Sequence, residues 1–131
     1  MATRRGLTAH LDTHAAVFLF EGRHEEFGAR SRSLLESAEL VASPMVRLEL
    51  AFLREVGKLK VDPETILGAL AQDVGLSVAQ DPFEQVVARA VTLSWTRDPF
   101  DRLIVASSLV AAAPLVTRDR NILAHLPTAV W

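Results

Sequence analysis

Short apolar runs alternate along this chain with longer segments that open on a Ser-Pro or Asp-Pro pair, and this alternation restricts the fold more than any other feature. Ser43-Pro44, Asp62-Pro63, Asp81-Pro82 and Asp98-Pro99 each set a side-chain acceptor in front of a proline. The acceptor caps the free backbone N–H groups of a helix, and the proline has the φ of a first helical residue and no N–H to leave unpaired. The pairs therefore predict helices from Pro44 to about Val56, from Pro63 to near Gly75, from Pro82 through Leu93 and from Pro99 to about Ala113. Further helices are expected at Ala15 to Phe20, Glu25 to Ser37 and Arg120 to Leu126. Between them lie candidate strands at Leu7 to Leu11, Glu39 to Ala42, Leu76 to Ala79, Leu115 to Thr117 and Thr128 to Trp131.

Strands this short, separated by helices, imply βαβ crossovers and a parallel sheet covered on both faces. The expected fold class is α/β, a three-layer α/β/α sandwich with a central parallel sheet. With 131 residues and no linker, repeat or low-complexity tract, the chain is read as one domain over 1–131. In such sheets ligands bind beyond the carboxyl ends of the strands, where the strand order reverses.

Composition narrows the function. The net charge of −2 gives no overall positive field to attract nucleic acid, so any phosphate must be met by local arginines or by a bound cation. Cysteine is absent, which removes disulfides and thiolate metal sites and fits a cytoplasmic setting. The apolar stretch near the N-terminus is interrupted by His10, Asp12, Thr13 and His14, so neither a signal peptide nor a membrane span is expected.

Four acidic residues stand where a parallel sheet would bring them to one edge. Asp12 follows the first strand, and it would also serve as cap for the next helix. Glu49 falls in a stripe formed by Met45, Leu48, Phe52, Leu53 and Val56, where a carboxylate is costly unless it is paired or coordinated. Neither Arg47 nor Arg54 is at pairing distance along the helix, which leaves a distant salt bridge as the alternative. Asp101 opens a helix and heads its inward stripe of Ile104, Val105, Ser108 and Leu109, while Asp98 is the expected cap. Asp119 follows the strand ending at Thr117 and would also cap a short helix. Thr117 either supports a metal site through its hydroxyl or is a plain strand-end residue.

Carboxylates gathered in this way repel one another unless a cation compensates them. A donor set of oxygens favours Mg²⁺, with Mn²⁺ as the alternative, over zinc. A metal held there can polarise a phosphoryl oxygen and activate water. Arg97, Arg102, Arg118 and Arg120 flank the acids, either as phosphate binders or as neutralising partners. His14 is read as a partly exposed structural residue, Trp95 as a half-buried anchor, and His10, His24 and His125 show no ligand spacing.

The segments Leu11-Asp12-Thr13-His14-Ala15, Asp98-Pro-Phe-Asp-Arg-Leu-Ile-Val-Ala106 and Leu115-Val-Thr-Arg-Asp119, with Glu49 between them, resemble the PIN domain. More closely, they resemble the VapC-type ribonuclease toxins of bacterial toxin–antitoxin pairs. The resemblance runs over nearly the whole chain, and Asp98 to Arg102 is its most specific part. It implies a metal site of Asp12, Glu49, Asp101 and Asp119 with Thr117 in support, and Mg²⁺-dependent hydrolysis of RNA. It also implies a homodimer and a cognate antitoxin docked near the active site, on a groove of the first two helices that includes Phe18, Phe20 and Leu35. The chain departs from the pattern at Leu93 to Arg97, which lacks the histidines often found there, and in a slightly longer leader, Met1 to Leu7.

Two other classes compete. A receiver-like phosphoryl-transfer domain would want paired acids after the first strand and a lysine after a late one, whereas Thr13 follows Asp12 and no lysine follows Lys60. A non-catalytic PIN-like module acting through protein contacts is the other, and the presence of all four acids argues against it.

Overall fold

Side-chain caps set where the helices begin. In the computed structural model, which describes residues 7–131, Asp12, Ser43, Asp62, Asp98 and Asp119 each accept a hydrogen bond from a backbone N–H in the first turn of the helix they precede. The elements are β1 (Thr8–Leu11), α1 (Thr13–Phe20), a 3₁₀ turn (His24–Glu26), α2 (Ala29–Ser37), β2 (Glu39–Ala42), α3 (Pro44–Glu55) and α4 (Pro63–Val74). They continue with β3 (Ser77–Val78), α5 (Phe83–Val91), α6 (Pro99–Val110), β4 (Leu115–Val116), α7 (Arg120–His125) and β5 (Ala129–Val130). Residues 1–6 of the leader, Met1 to Leu7, lie outside the described residues. No described helix is long and apolar enough to cross a membrane.

The five strands form one sheet in the order β3-β2-β1-β4-β5, with every pair parallel. Connections run outward from β1 to β3, then return across the sheet to β4 and β5. Right-handed crossovers in opposite directions put their helices on opposite faces, which gives the three-layer α/β/α arrangement expected from the sequence. The order reverses between β1 and β4, where Leu11 pairs with Val116. Asp12 N–H donates to the Val116 carbonyl at 3.1 Å, and Thr117 N–H donates to Val130 at 3.0 Å. The residues just beyond both strands are thereby fixed side by side.

The core lies on both faces of this sheet. Leu11, Leu40, Val46, Leu50, Ile66, Val105, Leu115, Val116 and Ile122 are all buried. His10, inside β1, is buried too, and its Nδ1 has no hydrogen-bond partner. Burial holds its imidazole below the ordinary value, against an opposing pull from Asp81.

Three expectations change. The helix expected from Pro82 starts at Phe83, with Pro82 in the cap position and no side-chain cap from Asp81. The helix expected over Glu25 to Ser37 is broken: Phe27 adopts extended backbone, and α2 starts only after Gly28. The break lets Phe27 pack on Trp131, with ring centroids 4.8 Å apart. Gly28 is required there, since a Cβ would meet the Trp131 carbonyl oxygen at 2.6 Å. The stripe expected on α3 is also displaced. Val46 and Leu50 are buried, whereas Leu48, Phe52 and Val56 are 55, 45 and 50% exposed. Apolar residues surround most of α3, so periodicity alone did not single out the buried face. Glu49 lies at the edge of that face and not within it.

Candidate metal centre at the strand-order reversal

Asp12 is held by its own helix. One carboxylate oxygen accepts the Ala15 N–H at 2.9 Å, and the side chain is almost wholly buried at the end of β1. Burial pushes its carboxyl up to about 6. The Thr117 hydroxyl, the Ala15 amide and His14 work against that rise, and Glu49 adds to it. Asp12 thus caps α1 and also lines the cavity described below.

Glu49 comes in from α3, half-buried, and accepts a hydrogen bond from the Thr13 hydroxyl. Its carboxyl is raised by burial, lowered by the Thr13 bond and by His14, and raised again by Asp98. Thr13 is fully buried at the start of α1. It is a site residue that the sequence did not single out, because no local spacing reveals a contact between positions 36 apart.

Asp101 occupies the third position of α6. Asp98 caps that helix, accepting the N–H groups of Phe100 at 2.8 Å and Asp101 at 3.3 Å. Burial raises the Asp101 carboxyl most, followed by Asp98, Asp119, Glu49 and Asp12, to about 7. Every other acid of the group acts on this one. Asp98, expected to be only a cap, is a cap and also part of the acidic cluster.

Asp119 caps α7 through Ile122 N–H at 2.9 Å, and its own N–H donates to Thr117 Oγ1 at 3.0 Å. Thr117 is completely buried, and it supports the turn that delivers Asp119 while its hydroxyl also acts on Asp12.

These side chains line one open cavity of about 260 Å³, bounded by Asp12, Thr13, His14, Glu49, Asp98, Asp101, Ile104, Arg118 and Asp119. Five carboxylates thus face one guanidinium and one imidazole. Of the four arginines near the acids, only Arg118 reaches the cavity. Arg102 instead donates through Nε to the Thr96 carbonyl at 2.8 Å. Trp95 is half-buried and lies parallel to His125, with ring centroids 5.0 Å apart, as an anchor for the loop before α6. As they stand, no three acidic or imidazole side chains among the described residues are drawn together tightly enough to form a closed metal cage. The donor chemistry nevertheless fits a hard divalent cation. The donors are oxygens throughout, Asp12 is buried with Glu49 and Asp101 partly so, and the mutual repulsion registered at Asp101 is what a cation would relieve.

Fold and site together define a parallel α/β protein with a carboxylate-lined cavity at its topological switch point. The family model of the PIN domain matches residues 9–127, and the chain belongs to that family. Among solved structures it is similar in fold to VapBC2 from Rickettsia felis, bound to a promoter DNA fragment, at 16% identity and a TM-score of 0.66, covering 95% of this chain and 96% of that one. A toxin–antitoxin complex from Klebsiella pneumoniae matches at 20% identity and a TM-score of 0.67, covering 94% and 96%. VapBC-1 from nontypeable Haemophilus influenzae matches at 20% and 0.63, covering 95% and 96%. No curated protein matches the chain.

Proposed function

We propose that this chain is a Mg²⁺-dependent ribonuclease, the toxin of a toxin–antitoxin pair, with its single PIN-like domain spanning 1–131 and acting in the cytoplasm. The observation that carries the reading is the convergence of Asp12, Glu49, Asp98, Asp101 and Asp119 on one cavity at the β1–β4 switch point. Membership of the PIN family supports nuclease chemistry. The similarity in fold to toxin–antitoxin complexes supports an antitoxin partner.

Asp12, Glu49, Asp101 and Asp119 would hold the cation, Mg²⁺ or in its place Mn²⁺. Bound there, it would supply Lewis-acid polarisation of the scissile phosphate and a water of lowered pKa. The chain's own residues do the rest. The Ala15 amide and the Thr117 turn orient Asp12 and Asp119, and the Thr13 hydroxyl orients Glu49. Burial and the neighbouring acids raise the Asp101 carboxyl to about 7, and serving as a ligand would require it in its ionised form. The direct test is an RNA-cleavage assay with and without EDTA on the wild type, Asp12→Asn and Asp101→Asn. Cleavage by the wild type that EDTA abolishes and neither variant retains is the expected result. Undiminished cleavage by both variants overturns the assignment.

Partner surfaces follow from exposure. Phe20 and Leu35 are partly exposed and remain the proposed antitoxin contacts. Phe18 does not, because it is 7% exposed and packs edge-on against Phe27 with centroids 6.4 Å apart. A homodimer is proposed through α3 and α5, where Leu48, Phe52, Val56 and Phe83 project apolar surface beside an apolar cleft lined by Met45, Leu48, Phe83, Val86 and Leu103.

A further inference from the structure

Among the described residues, Arg118 is the only guanidinium lining the acidic cavity. It stands between Thr117 and Asp119, on the turn that leaves β4. Two partners from far along the sequence hold it there. Its Nη1 donates to Glu26 Oε1 at 3.0 Å, and its guanidinium carbon lies 4.6 Å from the centroid of the Phe18 ring. Phe18 is itself fixed among Phe27 and Trp131, so the platform under the guanidinium is rigid. Arg23 covers the same ring at 4.7 Å and reaches the other Glu26 oxygen at 3.4 Å. Glu26 therefore keeps Arg118 drawn back from the carboxylates it borders, and among the described residues its Nε and Nη2 make no hydrogen bond.

The charge balance says what this arrangement is for. A polyanion approaching five carboxylates is repelled, and one divalent cation offsets only part of that charge. A guanidinium that merely neutralised the acids would lie on them, but this one is held on a stack and a distant glutamate. Its free edge has the planar donor geometry that suits phosphate oxygens. We propose that Arg118 grips a non-bridging phosphate oxygen of the RNA backbone at the mouth of the cavity, with Phe18 fixing its plane and Glu26 keeping it off the metal-binding carboxylates. This rests on the ribonuclease reading above and names the residue through which that site takes its substrate.

The test is binding of a fluorescent single-stranded RNA by anisotropy, with Ca²⁺ replacing Mg²⁺ to suppress cleavage. Arg118→Ala should weaken binding about tenfold and flatten the dependence of log K on log[salt] by about 0.7, the signature of one lost phosphate contact on a single strand. Arg118→Lys should recover part of the loss, and Mg²⁺ affinity by calorimetry should not fall. Glu26→Gln leaves an amide oxygen that can still accept from Arg118 Nη1 and hold the guanidinium off the carboxylates, while removing a negative charge beside the cavity, so it should bind RNA at least as tightly as the wild type. If Arg118 only ties the turn to the 3₁₀ segment, Arg118→Ala and Glu26→Gln should weaken binding equally, and that result overturns the proposal. Wild-type binding with an unaffected Arg118→Ala overturns it as well while leaving the ribonuclease reading intact. A wild type that neither binds nor cuts RNA overturns both.

Discussion

The Thr13 hydroxyl donates a hydrogen bond to Glu49 Oε1, joining the first turn of α1 to the middle of α3. The bond fixes a half-buried carboxylate that has no arginine or lysine partner among the described residues. Thr13→Val keeps the shape and removes the donor. The loss of a hydrogen bond to a charged group should cost about 1.5–3 kcal/mol in urea denaturation, raise the Glu49 carboxyl further, and reduce cleavage about tenfold. Thr13→Ser should restore most of both.

Metal dependence should be visible in the stability of the fold as well as in turnover. A ligand that binds only the folded chain stabilises it by RT ln(1 + [L]/Kd), about 2.7 kcal/mol at a hundredfold excess over Kd. Mg²⁺ or Mn²⁺ should raise the melting temperature of the wild type and leave that of Asp101→Asn unchanged. In EDTA, Asp101→Asn should melt no lower than the wild type, because the substitution removes the carboxyl on which the other acids converge.

The pH dependence of the metal-free protein follows from raised carboxyls. Burial above all, with the neighbouring acids, raises the Asp12 and Asp101 carboxyls to about 6 and about 7 in the folded chain, from 3.8 for a free aspartate side chain. Between those limits the folded chain holds more protons than the unfolded one, so this contribution is greatest below pH 4 and is lost as pH rises through 6 to 7. His10 works in the other direction. Burial lowers its folded pKa, so its contribution is present above about 6.5 and falls as acid protonates the unfolded imidazole. Denaturation between pH 4 and 8 should show the wild type losing stability toward pH 8. The double variant Asp12→Asn/Asp101→Asn should lose stability toward pH 4 instead, and saturating Mg²⁺ should flatten the carboxyl part of the profile.

Backbone geometry predicts two opposite substitutions. Ala112 is the one described non-glycine residue with positive φ, at 54°, so Ala112→Gly should stabilise the fold by about 1 kcal/mol. Gly28→Ala should destabilise it by about 2 kcal/mol, in the range expected of overpacking, because the new methyl runs into the Trp131 backbone. Thermal denaturation of the two variants checks both.

Phe83 is 71% exposed on α5, too much apolar surface for a residue without a covering partner. Phe83→Glu, alone or with Leu48→Glu, should convert the proposed dimer to monomer in light scattering. A wild type that is monomeric at high micromolar concentration would rule out the dimer.

What the sequence disclosed was whatever local chemistry determines. Ser43-Pro44, Asp62-Pro63 and Asp98-Pro99 marked helix starts because capping acts within one turn, whereas Asp81 caps nothing and α5 begins one residue past Pro82; short apolar runs marked the central strands because a sheet covered on both faces leaves them little polar side. Asp12, Asp101 and Asp119 could be found because they stand at such junctions. Glu49 was found on an imperfect argument: its stripe was misplaced, since Leu48, Phe52 and Val56 turned out to face outward, yet it does border the buried face. The rest depended on contacts between distant segments. Nothing local says that β1 neighbours β4, that Thr13 reaches Glu49, or that of four arginines near the acids only Arg118 enters the cavity. The break at Phe27 and Gly28 is set by Trp131, more than a hundred positions on.

Asp12, Asp98 and Asp119 each commit an oxygen to the first turn of a helix, and an asparagine carbonyl can accept the same N–H bonds. Capping and charge are therefore separable at these positions: one amide for one acid should leave the scaffold standing with one carboxylate fewer in the cavity. On the proposed reading, a lineage carrying this fold would lie a single substitution from an inert decoy, still shaped to engage the partner proposed for the active form.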